Sequence, residues 1–205
     1  MPAPPGGRRP VCDGCRRPLA GCWCGCIHRV DNFTRLLILQ DPDEQGQAKG
    51  TAALLRACLT QAELRVGRHF DSPVDLDRHV LLYPDTPGDG KVAAPSPWPP
   101  ARIAPLSLVV LDGTWRRSLR LLHQNPWLQT LPRLALAAPP ASRYAIRRAR
   151  SEHQRSTLEA SALALAQLDG DAVRYEPLWR AMDDFIALQR RLAGASADTR
   201  RDVAR

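Results

Sequence analysis

The sequence lacks any apolar run of membrane-spanning length, since its longest apolar stretches are short, as at 36–39 and 108–111. Its N-terminus does not resemble a secretory signal either, because no apolar stretch follows Arg8 and Arg9. Both absences argue against a membrane or secreted protein. We therefore expect a cytoplasmic protein with no membrane partner.

Lysine is almost absent: Lys49 and Lys91 are the only two in 205 residues, and arginine carries most of the net charge of +8. The planar guanidinium of arginine suits phosphate groups and also stacks on nucleobases. A basic excess of this kind favours a polyanionic partner. An arginine-rich proteome would give the same bias, so charge alone does not establish nucleic-acid binding.

The cysteines are unevenly spread, because five of the six lie between positions 12 and 26. Their pattern, C-x2-C-x6-C-x-C with one extra cysteine, is typical of metal ligands rather than disulfides in a reducing compartment. Four thiolates from two close pairs suit a closed, structural zinc site. We predict that Cys12, Cys15, Cys22 and Cys24 are the ligands. Cys26 or His28 remains an alternative for one of them, and free thiols or a redox pair are the competing interpretation.

Short apolar segments alternate with helical patterns along the rest of the chain. Strands are predicted at 34–40, 64–70, 79–84, 106–113 and 133–138, and helices at 47–64, 114–124, 156–168 and 176–194. A Pro- and Gly-rich surface loop is predicted at 85–105, and Cys58 falls on the buried face of the first helix. Strands that are apolar on both faces indicate an α/β fold with a parallel sheet flanked by helices. Such sheets bind ligands at the carboxyl ends of their strands.

The chain divides into four parts on composition. We predict a disordered tail at 1–10, a cysteine-rich zinc knuckle at 11–30, a catalytic domain at 31–194 and a polar tail at 195–205. No internal repeat is present. The length suits one good core with a small appendage.

An apolar run, LVVL, ends abruptly at DGTWRR (112–117). This pattern has two interpretations. Asp112 or Thr114 caps the helix that follows, or the strand end forms a loop that holds a ligand beside an anion. Both can hold together, because a cap at a strand end also lies where ligands bind.

The segment STLE (156–159) is a capping box, in which Ser156 and Glu159 each bond the backbone of the other. This local explanation accounts for the pattern by itself. A helix start also presents N–H groups, which suit a carboxylate ligand. The sequence leaves both roles open.

Four ordered motifs resemble those of the DTW-domain family: the cysteine knuckle, ILQDPDEQGQAKGTAALL, LDGTW and SRYAIRRARSEHQRSTLEA. The resemblance runs from about Cys12 to the helix that follows Glu159. The chain departs from the family pattern at Asp41, where the family usually has histidine, and at Gly50, where it usually has asparagine.

The resemblance implies a tRNA-uridine aminocarboxypropyltransferase, which transfers the 3-amino-3-carboxypropyl group of S-adenosylmethionine to N3 of a uridine and releases methylthioadenosine. It also implies a SPOUT-like parallel sheet with a C-terminal knot that holds the co-substrate. Two alternatives stay open: a SPOUT-type RNA methyltransferase and a non-catalytic RNA-binding module that contains zinc. No obligate protein partner is evident.

The resemblance and the residue chemistry together predict three sets of site residues. Asp112 is the candidate base that removes the proton from uridine N3, and Trp115 is expected to stack on the uracil or to pack over the co-substrate. The co-substrate set comprises Thr114, Trp115, Tyr144, Arg147, Thr157 and Glu159. The RNA-facing set comprises Arg116, Arg117, Arg148 and Arg150.

Overall fold

The computed structural model describes residues 10–84, 106–136, 140–144 and 155–203, with side chains to position 195. Several predictions lie outside the described residues: those for Arg147, Arg148 and Arg150, for the loop at 85–105 and for the tail at 1–9.

The described residues form a five-stranded sheet in which every neighbouring pair of strands is parallel, in the order β2-β1-β4-β3-β5. The strands are β1 (Arg35–Gln40), β2 (Ala62–Val66), β3 (His79–Leu82), β4 (Ser107–Asp112) and β5 (Arg133–Leu134). This arrangement confirms the predicted α/β class with a parallel sheet.

The helices of the described residues are α1 (Ala52–Cys58), α2 (Trp115–Gln124), α3 (Pro126–Thr130), α4 (Thr157–Asp169) and α5 (Glu176–Val203), and short 3-10 turns connect some of the elements. Helix α2 ends where the sequence predicts, before Pro126. That proline then begins α3, because its missing N–H costs nothing at the first position of a helix.

Two boundaries differ from the prediction around the first helix. The helix predicted over 47–64 is confined to α1, and the second strand starts at Ala62 rather than at position 64. Pairing with β1 explains the shift, because Leu36 is in register with Ala62 and the chain must already be extended there. Tertiary pairing has therefore overridden the helical propensity of the segment.

The last strand and the last helix differ in length from the prediction. Strand β5 has only two residues, which pair with Leu81 and Leu82 of β3. Helix α5 continues past Gly194 to Val203. A single glycine costs a helix only about 1 kcal/mol, so it need not end one.

Alternate residues of the central strands bury opposite faces of the sheet, which is the double burial that their sequences predict. On one face Leu36, Ile38, Leu108 and Val110 share a core with residues of α1, α4 and α5, and Cys58 belongs to it as predicted. On the other face Leu37, Leu39, Val109 and Leu111 share a core with residues of α2 and α3. The sheet is thus a layer between two layers of helices.

The cysteine-rich segment packs against this body rather than apart from it. Val11 and Pro18 form an antiparallel bridge that closes the first turn. Trp23 and Cys26 belong to the larger core, and Gly21 lies against Leu192 of α5. The described residues do not establish a C-terminal knot, which remains a prediction.

Candidate functional site

The last residues of β1 and β4 meet at the carboxyl edge of the sheet. Gln40 and Asp112 are partners in the register of these two strands, and the N–H of Asp41 bonds the carbonyl of Asp112 at 3.0 Å. Both Gln40 and Asp112 are buried. Because positions 108, 110 and 112 share a face of β4, the Asp112 side chain lies on the side of the sheet that α4 covers.

The Asp112 carboxylate connects three elements that are distant in sequence. One of its oxygens accepts a hydrogen bond from the Gln40 amide at 2.7 Å, and the other accepts one from the Thr157 hydroxyl at the start of α4. Hydrogen bonds to a buried carboxylate are about twice as strong as neutral ones. Asp112 and Thr157, which were both predicted as site residues, are therefore brought together, and Gln40 joins them.

The side-chain hydrogen bonds of the DGTW segment differ from those of a simple helix cap. Thr114 occupies the capping position of α2, but its side chain makes no cap hydrogen bond. Asp112 bonds Gln40 and Thr157, neither of which belongs to α2. Glycine at position 113 avoids crowding, because a Cβ there would lie 3.0 Å from the Cβ of Arg117.

The start of α4 is closed by side chains. Ser156 and Glu159 form the predicted capping box, in which Ser156 Oγ accepts from the Glu159 N–H at 3.2 Å. The preceding N–H, that of Leu158, donates to Thr51 Oγ1 at 3.2 Å. These two N–H groups are therefore engaged with protein side chains rather than directed at a ligand.

Glu159 is 1% exposed, and its carboxylate is surrounded by donors. It accepts from Ser142 Oγ at 2.9 and 3.0 Å, from the Arg143 N–H at 2.7 Å, and from both the N–H and the hydroxyl of Ser156. Four or five bonds fill the acceptor capacity of a carboxylate. Its role in the described structure is to hold the 140–144 segment against α4.

Tyr144, another predicted co-substrate residue, is buried at the end of that segment. Its hydroxyl donates to the carbonyl of Lys49 at 2.5 Å. Tyr144 therefore joins the 140–144 segment to the turn before α1, next to Thr51.

The residues that follow β1 form an acidic turn on the opposite side of the sheet. Asp41 is fully buried and accepts a hydrogen bond from Arg120 of α2 at 2.6 Å. Burial alone would raise the pKa of Asp41, but the bonds from Arg120 and from the Asp43 N–H outweigh it and hold the pKa below its usual value. Asp41, which stands where the family usually has histidine, is thus paired with Arg120 in this chain.

The two arginines of the DGTWRR segment have different surroundings. Arg117 bonds Glu44 at 2.5 Å and lies 3.5 Å from Asp43 and 3.9 Å from Asp41, and the bond to Glu44 raises its pKa above the ordinary value. Arg116 is exposed and forms no ion pair with any residue that the structure describes. Of these two predicted RNA contacts, Arg117 is ion-paired, and Arg116 forms no ion pair within the described parts of the chain.

Trp115 lies at the surface, which excludes its interpretation as a core tryptophan. It is 53% exposed, and one face of its ring stacks on Tyr83 at 5.2 Å between centroids and 21° between planes. The guanidinium of Arg133 lies 5.5 Å from the centroid of the buried Tyr83 ring. Trp115 is thus a supported aromatic surface three residues from Asp112.

The four predicted zinc ligands converge in space. The Sγ atoms of Cys12, Cys15, Cys22 and Cys24 all lie within 4.8 Å of one another, and the pairs Cys12–Cys24 and Cys15–Cys22 are both 3.7 Å apart. Sulfur atoms at the corners of a tetrahedron around zinc are about 3.8 Å apart, since Zn–S is about 2.3 Å. A disulfide would need about 2.05 Å. The cluster therefore fits a tetrahedral metal ion such as zinc.

The thiols of the cluster differ in acidity, because the backbone favours an anionic sulfur at Cys12 whereas burial raises the pKa of Cys24. The N–H groups of Cys15 and Gly14 and the neighbouring thiols lower the pKa of Cys12 to about 6. A Cβ at Gly14 would lie 3.1 Å from the Cys24 sulfur, so a larger residue there would have to displace that sulfur by a few tenths of an ångström.

The two alternative ligands lie elsewhere in the structure. Cys26 is buried in the larger core, and burial raises the pKa of its thiol. His28 Nε2 lies 2.8 Å from Asp184 of α5. Neither belongs to the four-sulfur cluster, which supports the predicted ligand set.

A cleft of about 550 Å³ lies beside β1 and β2, with Arg35, Arg65 and His79 in its lining. None of the residues predicted as catalytic or co-substrate-binding lines it. It is therefore separate from the carboxyl edge of the sheet.

Sequence reasoning missed three residues of the carboxyl edge: Gln40, Thr51 and Tyr83. Gln40 and Tyr83 each carry a detectable signal, because each is a polar-tipped side chain directly after an apolar strand segment. Thr51 carries none, since its partner Leu158 is 107 positions away.

These features define an α/β protein with a four-cysteine centre and a polar site at the carboxyl edge of a parallel sheet. None of the helices in the described parts of the chain is long and apolar enough to cross a membrane. The DTW domain model matches residues 9–190, which include both the cysteine cluster and the sheet. The chain belongs to the DTW-domain family.

Three relatives carry the name tRNA-uridine aminocarboxypropyltransferase 2. The Drosophila melanogaster protein is 30% identical over 91% of this chain and 78% of its own length. Those of Macaca fascicularis and Mus musculus are 28% and 27% identical over 92% and 89% of this chain. The chain spans only 66% and 64% of the length of these two mammalian relatives. No solved structure matches the chain.

Proposed function

We propose that this protein is a tRNA-modifying transferase, and specifically that it transfers the 3-amino-3-carboxypropyl group of S-adenosylmethionine to N3 of a tRNA uridine. The observation that carries the proposal is the buried Asp112, held by Gln40 and Thr157 at the carboxyl edge of the sheet in a DTW-family chain. The names of the relatives support the transfer of an aminocarboxypropyl group to a tRNA uridine.

The reaction requires a base and a strict choice of carbon. Asp112 takes the proton from N3, the N3 lone pair forms a bond to the methionine Cγ, and the Cγ–S bond breaks with its electron pair on sulfur. Methylthioadenosine leaves as a neutral thioether. Three carbons on the sulfonium are electrophilic, so orientation of the substrates decides which group moves.

Gln40 and Thr157 hold the carboxylate of the proposed base, Asp112, in one orientation. They bond different oxygens of Asp112 and belong to different layers, one to the sheet and the other to the start of α4. A side chain fixed by two partners has fewer conformations in which it misses its target proton.

Trp115 offers the stacking surface for a substrate ring. Its inner face rests on Tyr83, so its position is fixed before a substrate arrives. Trp115 is half exposed and lies three residues from Asp112 in sequence, so its outer face is open to a substrate ring at the carboxyl edge of the sheet. We assign this surface to the target uracil, with the co-substrate as the alternative occupant.

The exposed Arg116 is the proposed contact to the tRNA backbone within the described residues, and Arg148 and Arg150 extend the same proposal outside them. The four-cysteine centre holds a zinc ion with a structural role, since four protein ligands leave no open position. A C-terminal knot, the role of Arg147 toward the co-substrate and the four-part division of the chain remain predictions.

The first experiment is an incubation of the purified chain with bulk tRNA and S-adenosylmethionine, followed by mass spectrometry of nucleosides and small molecules. Aminocarboxypropyl-uridine together with methylthioadenosine is the expected result. A methylated nucleoside with S-adenosylhomocysteine would instead indicate a methyltransferase. Bound tRNA without any product would indicate an RNA-binding module.

Asp112→Asn tests the proposed base directly, because it keeps the shape of the side chain and removes its basicity. We expect turnover to fall by about 100-fold or more in a protein that stays folded, although weaker bonds to Gln40 and Thr157 should lower its melting temperature. Asp71→Asn makes the same chemical change at an exposed position and should keep full activity. A fully active Asp112→Asn or Asp112→Ala protein would rule out Asp112 as the base.

A further inference from the structure

Arg17 of the cysteine segment reaches out of its own module to the turn before α1. Its two terminal nitrogens donate to successive backbone carbonyls, Nη1 to Ala48 and Nη2 to Gln47, both at 2.7 Å. The Arg17 carbonyl accepts from the Cys12 N–H at 2.7 Å, so its own backbone belongs to the turn of the first cysteine pair. Arg17 thus connects the cluster and this turn.

The turn at 47–51 is held from its other side by the site already described. The Tyr144 hydroxyl bonds the Lys49 carbonyl, and the Gly50 N–H bonds the Gln47 carbonyl at 3.0 Å. Thr51, which ends the turn, accepts the Leu158 N–H through its hydroxyl. The turn therefore contacts the cysteine module, the 140–144 segment and α4, and it does so through hydrogen bonds. Helix α5 packs against the same three parts of the described structure.

The last contact leads to the proposed base. Leu158 follows Thr157, whose hydroxyl bonds the Asp112 carboxylate. A movement of the 47–51 turn would displace Thr51, loosen the first turn of α4 and change the position of Thr157. The contacts from Arg17 to Asp112 are continuous, and each is a hydrogen bond or a peptide neighbour.

We propose that Arg17 is a positioning residue, through which the cysteine cluster fixes the 47–51 turn and thereby the Thr157–Asp112 contact. The expected effect of Arg17 on turnover rests on the function proposed above. The cysteine module then has a task beyond its own folding, because its integrity sets the geometry of the reaction edge. Arginine suits this task, since its planar fork can serve two carbonyls at once, whereas the ammonium of lysine is a point charge.

The test compares Arg17→Ala with Arg16→Ala. Arg16 is the neighbouring arginine, it is exposed, and among the described residues its side chain makes no hydrogen bond or ion pair. Both variants remove one positive charge from the same turn. Arg16 has a positive φ of 57°, which alanine tolerates no worse than arginine does, so the control adds no new backbone strain.

Three quantities are measured in each variant: the zinc content, the amide hydrogen exchange at Leu158, and kcat and KM for transfer. In Arg17→Ala we expect zinc to be retained, exchange at Leu158 to rise by about tenfold, and kcat to fall more than KM changes. In Arg16→Ala all three should match the unaltered protein. Removal of zinc by a chelator should raise the same exchange in the unaltered protein and add little in Arg17→Ala.

Unchanged exchange at Leu158 in Arg17→Ala, or an equal rise in Arg16→Ala, would overturn the proposal. If Arg17→Ala loses its zinc, Arg17→Lys becomes the deciding variant: intermediate exchange at Leu158 supports the proposal, and exchange like that of the unaltered protein overturns it. Raised exchange in a chain that transfers nothing would refute the proposed function and leave the link from Arg17 to α4 intact.

Discussion

Arg116 and Arg117 are adjacent in sequence, yet the structure predicts opposite consequences for their removal. Arg117 is 30% exposed and bonds the buried Glu44 at 2.5 Å, with Asp43 and Asp41 close by. Arg116 is exposed and has no described ion pair. Arg117→Ala should therefore weaken the fold, and Arg116→Ala should weaken tRNA binding.

The size of each effect follows from these surroundings. The bond from Arg117 to the buried Glu44 is charge-assisted, and solvent screening at the partly exposed Arg117 weakens it. Its loss should therefore lower the melting temperature by no more than a few degrees. Loss of Arg116 should remove about one phosphate contact, which lowers the slope of log K against log salt by about 0.7–0.9.

The assays are thermal unfolding and tRNA binding at several salt concentrations, with both single variants measured in parallel. We expect Arg116→Ala to keep its melting temperature and to bind tRNA with a smaller salt slope. Arg117→Ala should show the reverse pattern. The reasoning would be refuted if Arg116→Ala destabilised the protein as much as Arg117→Ala, or if the salt slope fell only in Arg117→Ala.

Three further predictions concern the metal, the aromatic surface and the acid response. The protein should contain about one zinc ion per chain by elemental analysis, which Cys24→Ser removes and Cys26→Ser retains, since only the former lies in the cluster; retention in both would refute the ligand set. Trp115→Ala should raise KM for tRNA by roughly 10- to 100-fold while Trp115→Phe keeps most of the affinity, because base stacking contributes about 1–3 kcal/mol; equal loss in both would exclude stacking. The pKa of Asp41 is lowered from 3.8, so its bond with Arg120 stabilises the fold fully above that value and is lost as the pH falls through the lower folded pKa. Melting temperatures measured from about pH 5 to pH 3 should therefore fall less steeply in Arg120→Ala, and an identical slope would contradict the pairing.

The class of fold could be predicted because the central strands carry their signal locally. Strands β1 and β4 are apolar on both faces. This pattern is typical of a parallel sheet that helices cover on both sides. The cysteine ligands could be predicted from spacing for the same reason, since Cys12 to Cys24 lie within one short segment. The exclusion of Cys26 needed the structure, because its place in the core depends on helix α5 and not on the spacing.

The partners of the site residues could not be predicted, because the order of strands is not their order in the chain. Gln40 meets Asp112 across 72 positions, and Arg120 meets Asp41 across 79. Both pairs depend on β4 lying beside β1, although two other strands separate them in sequence. Alternation then sends the two acids to opposite faces, Asp112 toward α4 and Asp41 toward α2.

Two acids beside helix starts, Glu159 and Asp112, have different meanings in this chain, and the reach of their hydrogen bonds separates them. Glu159 is bonded by Ser156, Ser142 and Arg143, all within 17 positions, which is what a capping box and an adjoining loop need in order to fold. Asp112 is bonded across 72 and 45 positions by groups from the sheet and from α4. A local network stabilises its own element, so Glu159 should act mainly through stability. The carboxylate of Asp112 is instead held by residues from distant parts of the chain, at the edge where parallel sheets bind ligands, and the proposed role of Asp112 as a base depends on that placement.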